Sequence, residues 1–554
     1  MREVDRLTTE RYGIPSILLM ENAAHAVARV ITEKLGGSVK GKSILVLCGK
    51  GNNGGDGAAL ARILQLADAQ VEIILFGKIE DTDGDARINF DAAKGIIDWV
   101  REFESREEWD EWFYQSWQDW AVVVDAVFGT GLNRPVDIWL GNIIRHINVA
   151  NEAKREFVGE RIAISLDVPS GLNSDLPDII GEVFQADATV TFTVPKPANV
   201  LSPASSFNGE IFVTNIGSPY TLVSEFESQM FCSELDDARN WLIDTDFEYD
   251  SYKNKRGHSL IIAGSESYSG AAVLCGNSAM RSGVGLVTIA TPRSSKDSVA
   301  ARVLPEVMIR RVAETASGSI DETAFDGLTD LLTKADSVAI GSGLSLDEST
   351  KRFVEKVIEN RRQPTIVDAD ALTLLSPFEG AMQKPAREQG RSSQRSDHAL
   401  ADTRASGPDV DDEPPLILTP HEGEFMRLLG TTDKDAIKDR VAAVREFSQK
   451  HNVILVLKGE RVLIGEPGGK VVVNPTGNSG LGKAGNGDTL TGILAGFVAQ
   501  AVKFNIDIFE TVVAAVYVAG MAGDVAEQKY GKRVMTASDV RECLTDVFEK
   551  LAGN

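Results

Sequence analysis

Short, largely apolar runs recur along the chain, each closed by a glycine-rich or acidic turn. Runs at 43–48, 71–76, 121–125, 162–167 and 188–192 are mostly apolar rather than alternating, which predicts strands buried on both faces of a parallel sheet. Residues spaced as on one face of a helix lie between several of them, clearest over 56–66. A second series follows at 259–263, 286–290, 337–340, 365–368, 416–419 and 453–457. The pattern predicts α/β architecture twice over, beginning with a doubly wound sheet. The segment 102–120, rich in Trp and acid, reads as an amphipathic surface helix.

A chain of 554 residues is too long for one core, so two domains are expected. The boundaries read as 1–222, a linker at 223–252, and 253–554. The stretch 377–415 is polar and charged with few large apolar residues, and reads as a disordered insertion in the second domain. A net charge of −24 argues against nucleic-acid binding, which needs a basic face. It leaves room for anionic small ligands, because a glycine nest binds phosphate inside an acidic protein. Four dispersed cysteines form no CxxC pair, and six histidines show no metal-ligand spacing. No apolar run reads as long enough to span a membrane, and Met1-Arg-Glu-Val-Asp5 does not open a signal peptide. A soluble cytoplasmic protein without a membrane partner is expected, and self-association is left open.

Chemistry concentrates where strands end. The densest stretch is Asn474-Pro-Thr-Gly-Asn-Ser-Gly-Leu-Gly-Lys-Ala-Gly-Asn-Gly-Asp488, a glycine turn running into an apolar helix with one carboxylate at the junction. Backbone N–H groups there suit anionic oxygens, and a carboxylate beside phosphate is a base or organises a cation. A P-loop reading of Gly477 to Lys483 fails because Ala484 offers no hydroxyl to Mg²⁺. A plain N-cap role for Asp488 would not need so many glycines. In the first domain, Gly49-Lys-Gly-Asn-Asn-Gly-Gly-Asp-Gly57 formally satisfies GxGxxG. The dinucleotide fingerprint also wants an acid ending the next strand, and Glu72 sits at the wrong end. Strand C-termini of such a sheet face the ligand crevice, which places Asn53, Asp125, Asp167 and Ser170 around one site.

These first-domain motifs, with Asp125-Ala-Val-Phe-Gly-Thr-Gly131, Asp167-Val-Pro-Ser-Gly171 and the opening Ser16-Ile-Leu-Leu-Met-Glu-Asn-Ala-Ala24, resemble the YjeF N-terminal domain, the NAD(P)H-hydrate epimerase, with a Rossmann-like fold. The resemblance implies that Asn52, Asn53, Gly54, Gly55 and Asp56, with Gly129, Thr130, Gly131, Leu132, Asn133, Arg134 and Pro135, cradle the hydrated dinucleotide. It implies K⁺ on Asn53, Asp125 and Ser170, and proton transfer by Asp167 at C6 of the hydrated ring.

In the second domain, Asp368-Ala-Asp-Ala-Leu372, Thr419-Pro-His-Glu-Gly-Glu424 and Gly485-Asn-Gly-Asp488 together resemble the YjeF C-terminal domain. That family is the nucleotide-dependent NAD(P)H-hydrate dehydratase, a ribokinase-like α/β/α sandwich. It implies Asp488 as catalytic base, Gly485 and Gly487 as donors to the transferring charge, and Lys458, Gly459, Glu460, Arg461 and Val462 around the nucleotide. Ala272, Gly343 and His421 would face the hydrate, and Mg²⁺ would accompany the nucleotide. Asn486 stands where Thr or Ser is commoner, and Ala519 where the family often has His. The resemblances cover nearly the whole chain and imply epimerisation of R and S hydrates, then dehydration of the S form with ADP. A vitamin-precursor kinase with a non-catalytic dinucleotide-binding first module is the alternative. ADP against ATP is left open.

Overall fold

The computed structural model describes residues 1–116, 120–132, 134–157, 161–226, 228–379 and 413–553. The chain divides into two compact units, Met1–Ser228 and Gln229–Asn554. Asn133 and most of the expected insertion, 380–412, lie outside the described residues.

The first unit is built on a seven-stranded sheet of order β3-β2-β1-β4-β5-β6-β7. Its strands are β1 (Ser43–Cys48), β2 (Gln70–Phe76), β3 (Val100–Phe103), β4 (Val122–Ala126), β5 (Ile162–Leu166), β6 (Ala188–Phe192) and β7 (Glu210–Thr214). Every pairing is parallel. The order reverses between β1 and β4, so the crevice opens at their C-terminal ends. Helix Asn52–Leu66 follows β1 and packs tightly on the sheet. Close approach is possible because Gly57 has no Cβ, which would stand 2.8 Å from Cys48 Sγ and 2.7 Å from Ala126 Cβ. Segment 102–120 is not a single surface helix. Phe103 ends β3, and helix Arg106–Ser116 turns Trp109 and Trp112 into an aromatic core with Phe76 and Trp120. The indoles win burial there despite the acidic residues between them.

The second unit carries a ten-stranded sheet, β11-β10-β9-β12-β13-β14-β15-β16-β17-β8. The strands are β8 (Met230–Cys232), β9 (His258–Ile262), β10 (Leu286–Pro292), β11 (Met308–Val312), β12 (Ser337–Ile340), β13 (Thr365–Val367), β14 (Leu416–Leu418), β15 (Ile454–Leu457), β16 (Val462–Gly465) and β17 (Val471–Asn474). Only β15/β16 and β16/β17 pair antiparallel. The segment 223–252, expected as a linker, supplies β8 and helix Leu235–Asp244 to this unit. Trp241 on that helix stacks on Phe497 at 3.8 Å between centroids, an apolar anchor that a free linker would leave in water. Helix Asn486–Phe504 packs along helix Ser269–Arg281, where Gly492 and Gly496 remove Cβ atoms that would strike Cys275 and Ser282. Helix Ile508–Tyr530 is long and apolar enough to cross a membrane, contrary to the sequence reading. Most of it is buried in the core of this unit, which accounts for its composition.

Candidate active sites

In the first unit, a cavity of about 790 Å³ opens at the ends of β1, β4 and β5. Asn52, Asn53, Asp56, Asp167 and the loop residues Gly129–Leu132, Arg134 and Pro135 line it, as the sequence predicts. Gly54 and Gly55 lie behind it. A Cβ on Gly54 would run into the Gly49 carbonyl, and one on Gly55 would meet Ala86 at 2.8 Å, so these glycines serve packing.

Asp125 and Ser170 form a buried support beneath the loop. The Asp125 carboxylate accepts from Ser170 Oγ at 2.6 Å, Ser170 N at 2.8 Å, Ser165 Oγ at 2.8 Å and Val127 N at 3.3 Å. Ser170 Oγ in turn accepts from Phe128 N at 2.8 Å, and Asn53 Nδ2 donates to Phe128 O at 3.0 Å. The three residues expected around K⁺ therefore do converge, on the Phe128 peptide. Their oxygens are hard donors of the kind K⁺ takes, and an Asn side chain presents its oxygen by turning its amide over.

Asp167 sits just after β5 with φ +66, a left-handed backbone that Asp tolerates better than most residues. Its Oδ1 accepts from Lys196 Nζ, from Thr191 Oγ1 at 3.2 Å and from Phe192 N at 3.4 Å. Oδ2 is left without a partner on a residue that lines the cavity. Lys196, 4% exposed, also donates to Thr191 Oγ1 and Phe192 O, both at 2.9 Å. Lys196, within Thr193-Val-Pro-Lys-Pro-Ala198, has no role in the sequence analysis above. A lysine between prolines at a strand end was the available signal. Asp5 was also missed. It lies on the opening helix Arg2–Tyr12, lines the cavity, and buries Oδ1 without a partner. Burial, then the neighbouring Asp167 and Asp5 carboxylates, push Asp56 well above the usual carboxylate range. Burial also raises Asp5.

In the second unit the site again gathers at strand ends. Gly485 caps helix Asn486–Phe504 with φ +92, a conformation open to glycine, and Asp488 falls in the helix's first turn. Burial pushes Asp488 up to about 6, with the Asp368 carboxylate adding to it against the pull of the Lys458 ammonium. Asp368, 1% exposed at the end of β13, accepts from Lys458 Nζ at 2.7 Å, Thr419 Oγ1 at 2.8 Å and Thr491 Oγ1 at 2.8 Å. Burial alone would raise Asp368, but Lys458 and the hydroxyls overcome it and hold the carboxyl below its ordinary range. A Cβ on Gly487 would stand 3.5 Å from Lys458 Nζ, so this buried ion pair lies directly beneath the glycine turn.

The other predicted residues divide. Lys458, Gly459, Glu460, Arg461 and Val462 form the turn from β15 into β16, and the Arg461 guanidinium is tied to the Pro475 carbonyl. Gly343 has φ +66 and abuts Tyr268. His421 is the N-cap of helix Glu422–Leu428, its Nδ1 accepting from Gly423 N at 3.0 Å and Glu424 N at 3.3 Å. The neutral ring then carries its proton on Nε2, which lies 3.5 Å from Glu424 Oε1. Ala272 is fully buried in the core, so its methyl group supports the site from behind rather than touching a ligand. Asn486 turns its Nδ2 back onto Leu481 O at 2.9 Å and Lys483 O at 3.4 Å, closing the glycine loop. Ala519 packs, partly buried, against the core. Among the described residues no three His, Cys, Asp or Glu side chains gather as a metal cage. The Asp488 carboxylate at the glycine turn is a hard oxygen donor of the kind Mg²⁺ takes alongside phosphate and water oxygens.

The family model for the YjeF-related protein N-terminus matches residues 16–198. The model for NAD(P)H-hydrate dehydratase matches 259–389 and 400–546. The bifunctional NAD(P)H-hydrate repair enzyme of Moorella thermoacetica is 36% identical over 100% of this chain and 96% of its own length. That of Thermofilum pendens is 32% identical over 99% and 95%. Among solved structures, an ADP/ATP-dependent NAD(P)H-hydrate dehydratase from Bacillus subtilis, crystallised with ATP and Mg²⁺, is 28% identical, covering 58% of this chain and 98% of its own, with a TM-score of 0.45.

Proposed function

Because this chain belongs to the family of bifunctional NAD(P)H-hydrate repair enzymes, we propose that it restores hydrated NADH and NADPH in two steps. The first unit interconverts the R and S hydrates, and the second dehydrates the S form at the expense of ADP. The observation that carries this reading is that each unit keeps one carboxylate at its strand-end site: Asp167 lining the cavity with one oxygen free, and Asp488, raised to about 6, in the first turn of the helix behind the glycine loop.

At C6 of the hydrate, hydroxyl and ring nitrogen share one carbon, so the centre opens and recloses by proton transfer. Asp167 moves that proton through Oδ2, while Lys196 fixes Oδ1. K⁺ would be held by Asn53, Asp125 and Ser170, supplying positive charge beside the bound hydrate.

In the second unit, Asp488 takes the C6 hydroxyl proton as that oxygen attacks the β-phosphorus of ADP. The bond to the α–β bridging oxygen breaks and AMP leaves. The ring nitrogen lone pair then expels inorganic phosphate from C6, and loss of a C5 proton restores the ring double bond. Gly485 and Gly487 offer backbone donors to the transferring charge, and the Lys458–Asp368 pair places a cation beneath it. Mg²⁺ would arrive with the nucleotide and neutralise phosphate charge. A protein this rich in acid, with no role needing nucleic acid or a membrane, fits the cytoplasm, where these dinucleotides are used.

The test is stoichiometric. Purified chain with S-NADH hydrate, ADP and Mg²⁺ regenerates reduced-nicotinamide absorbance with one AMP per NADH. Absorbance without AMP, or AMP with a phosphorylated product that persists, contradicts the reading.

A further inference from the structure

One end of the first unit's cavity is walled by aromatic rings. Phe76 closes β2, Phe103 closes β3, and Trp139 comes from helix Ile138–Phe157 after β4; all three line the cavity. Phe76 and Trp139 meet edge to face, 5.9 Å between centroids at 78°. Fully buried Trp109 backs both phenylalanines, at 5.9 Å from Phe76 and 6.4 Å from Phe103. The wall is therefore rigid and apolar, while Trp139 itself is only half-buried. Asp167 lies at the other end, after β5.

Sheet order gives the span between these ends. From β3 to β5 there are four inter-strand spacings, about 19 Å. The glycine loop and the N-terminus of helix Asn52–Leu66 lie between, where backbone donors suit a pyrophosphate. A mononucleotide placed at Asp167 would leave the aromatic end of a cavity that long unfilled. We propose that the aromatic end, Phe76, Phe103 and Trp139, is the subsite for the adenosine of the dinucleotide. The proposal rests on the epimerase reading of this unit. An aromatic wall stacks a flat purine, and its energy is spent on binding, far from the reacting carbon.

The experiment compares two R hydrates, of NADH and of reduced nicotinamide mononucleotide, which lacks adenosine. Epimerisation is followed without ADP for the full chain, for Trp139→Ala and for Trp139→Phe. Trp139→Ala is expected to raise KM for the dinucleotide about tenfold and leave the mononucleotide unchanged, as loss of one stacking face does. Trp139→Phe, which keeps a ring, should retain most of the wild-type KM. Equal loss on both substrates, or loss on neither, overturns the subsite. AMP should compete with NADH hydrate in the wild-type epimerase and about tenfold less well in Trp139→Ala; no competition in wild type also overturns it. Should the wild-type chain epimerise neither hydrate, the epimerase reading falls. Calorimetric titration with AMP then decides the subsite alone: a site lost on Trp139→Ala supports it, and identical isotherms reject it.

Discussion

Asp488 and Asp167 are both buried carboxylates, yet their neighbours prepare them differently. Asp488, raised to about 6, is mostly ionised at neutral pH but takes a proton readily. Dehydration needs it ionised, so kcat/KM should fall as pH drops through about 6, measured with S-NADH hydrate. Asp488→Asn should slow dehydration by at least about 10²-fold. The same substitution should stabilise the fold. A carboxyl whose folded pKa lies above its unfolded value binds protons more tightly when folded. Its charge therefore destabilises above the folded pKa, and the penalty fades as pH falls toward the unfolded value. Calorimetry should show Asp488→Asn more stable by about 2 kcal/mol at pH 8, with little difference at pH 4. Asp167 instead has Lys196, and both side chains are at most 10% exposed. Lys196→Met leaves a buried charge alone and should destabilise the first unit by about 3 kcal/mol. Urea unfolding followed by tryptophan fluorescence reads this directly, because six of the seven tryptophans lie in that unit.

Among the elements, the buried central strands were legible because burial on both faces leaves an uninterrupted apolar run. β1, β6, β9 and β12 fall within a residue of their predicted positions. β3, β7, β8 and β11 escaped notice. They lie at or next to sheet edges, and mixed sequences such as Val100-Arg-Glu-Phe103 carry no such run. β16 and β17 are apolar, but their antiparallel hairpin interrupts the strand–helix alternation that guided the reading. The glycine loops were legible as strand-end turns beside the candidate sites, but not the division of labour within them. Gly54 stands against the Gly49 carbonyl, a contact between residues five apart that only the turn creates. Gly54→Ala should cost about 1–3 kcal/mol and weaken epimerisation while leaving dehydration intact, read from thermal melts and the two separate assays. Lys196 and Asp5 were invisible as site residues because their meaning comes from long-range approach, to Asp167 and into the cavity.

In the whole molecule each compact unit carries one reaction, so one chain serves both hydrate epimers. The acidic surplus of the sequence does not hinder this, since each anionic ligand meets local donors: backbone N–H groups, and Lys458 in the second unit. The most direct test uses a defined mixture of R and S NADH hydrate with ADP, Mg²⁺ and K⁺, both epimers being followed by chromatography. The wild-type chain should consume both. Asp167→Asn should consume the S form and leave the R form to spontaneous epimerisation. Asp488→Asn should restore no NADH, yet bring an R-enriched sample to the R/S equilibrium. Unimpaired R consumption by Asp167→Asn, or unimpaired NADH recovery by Asp488→Asn, would contradict the assignment of one carboxylate and one reaction to each unit.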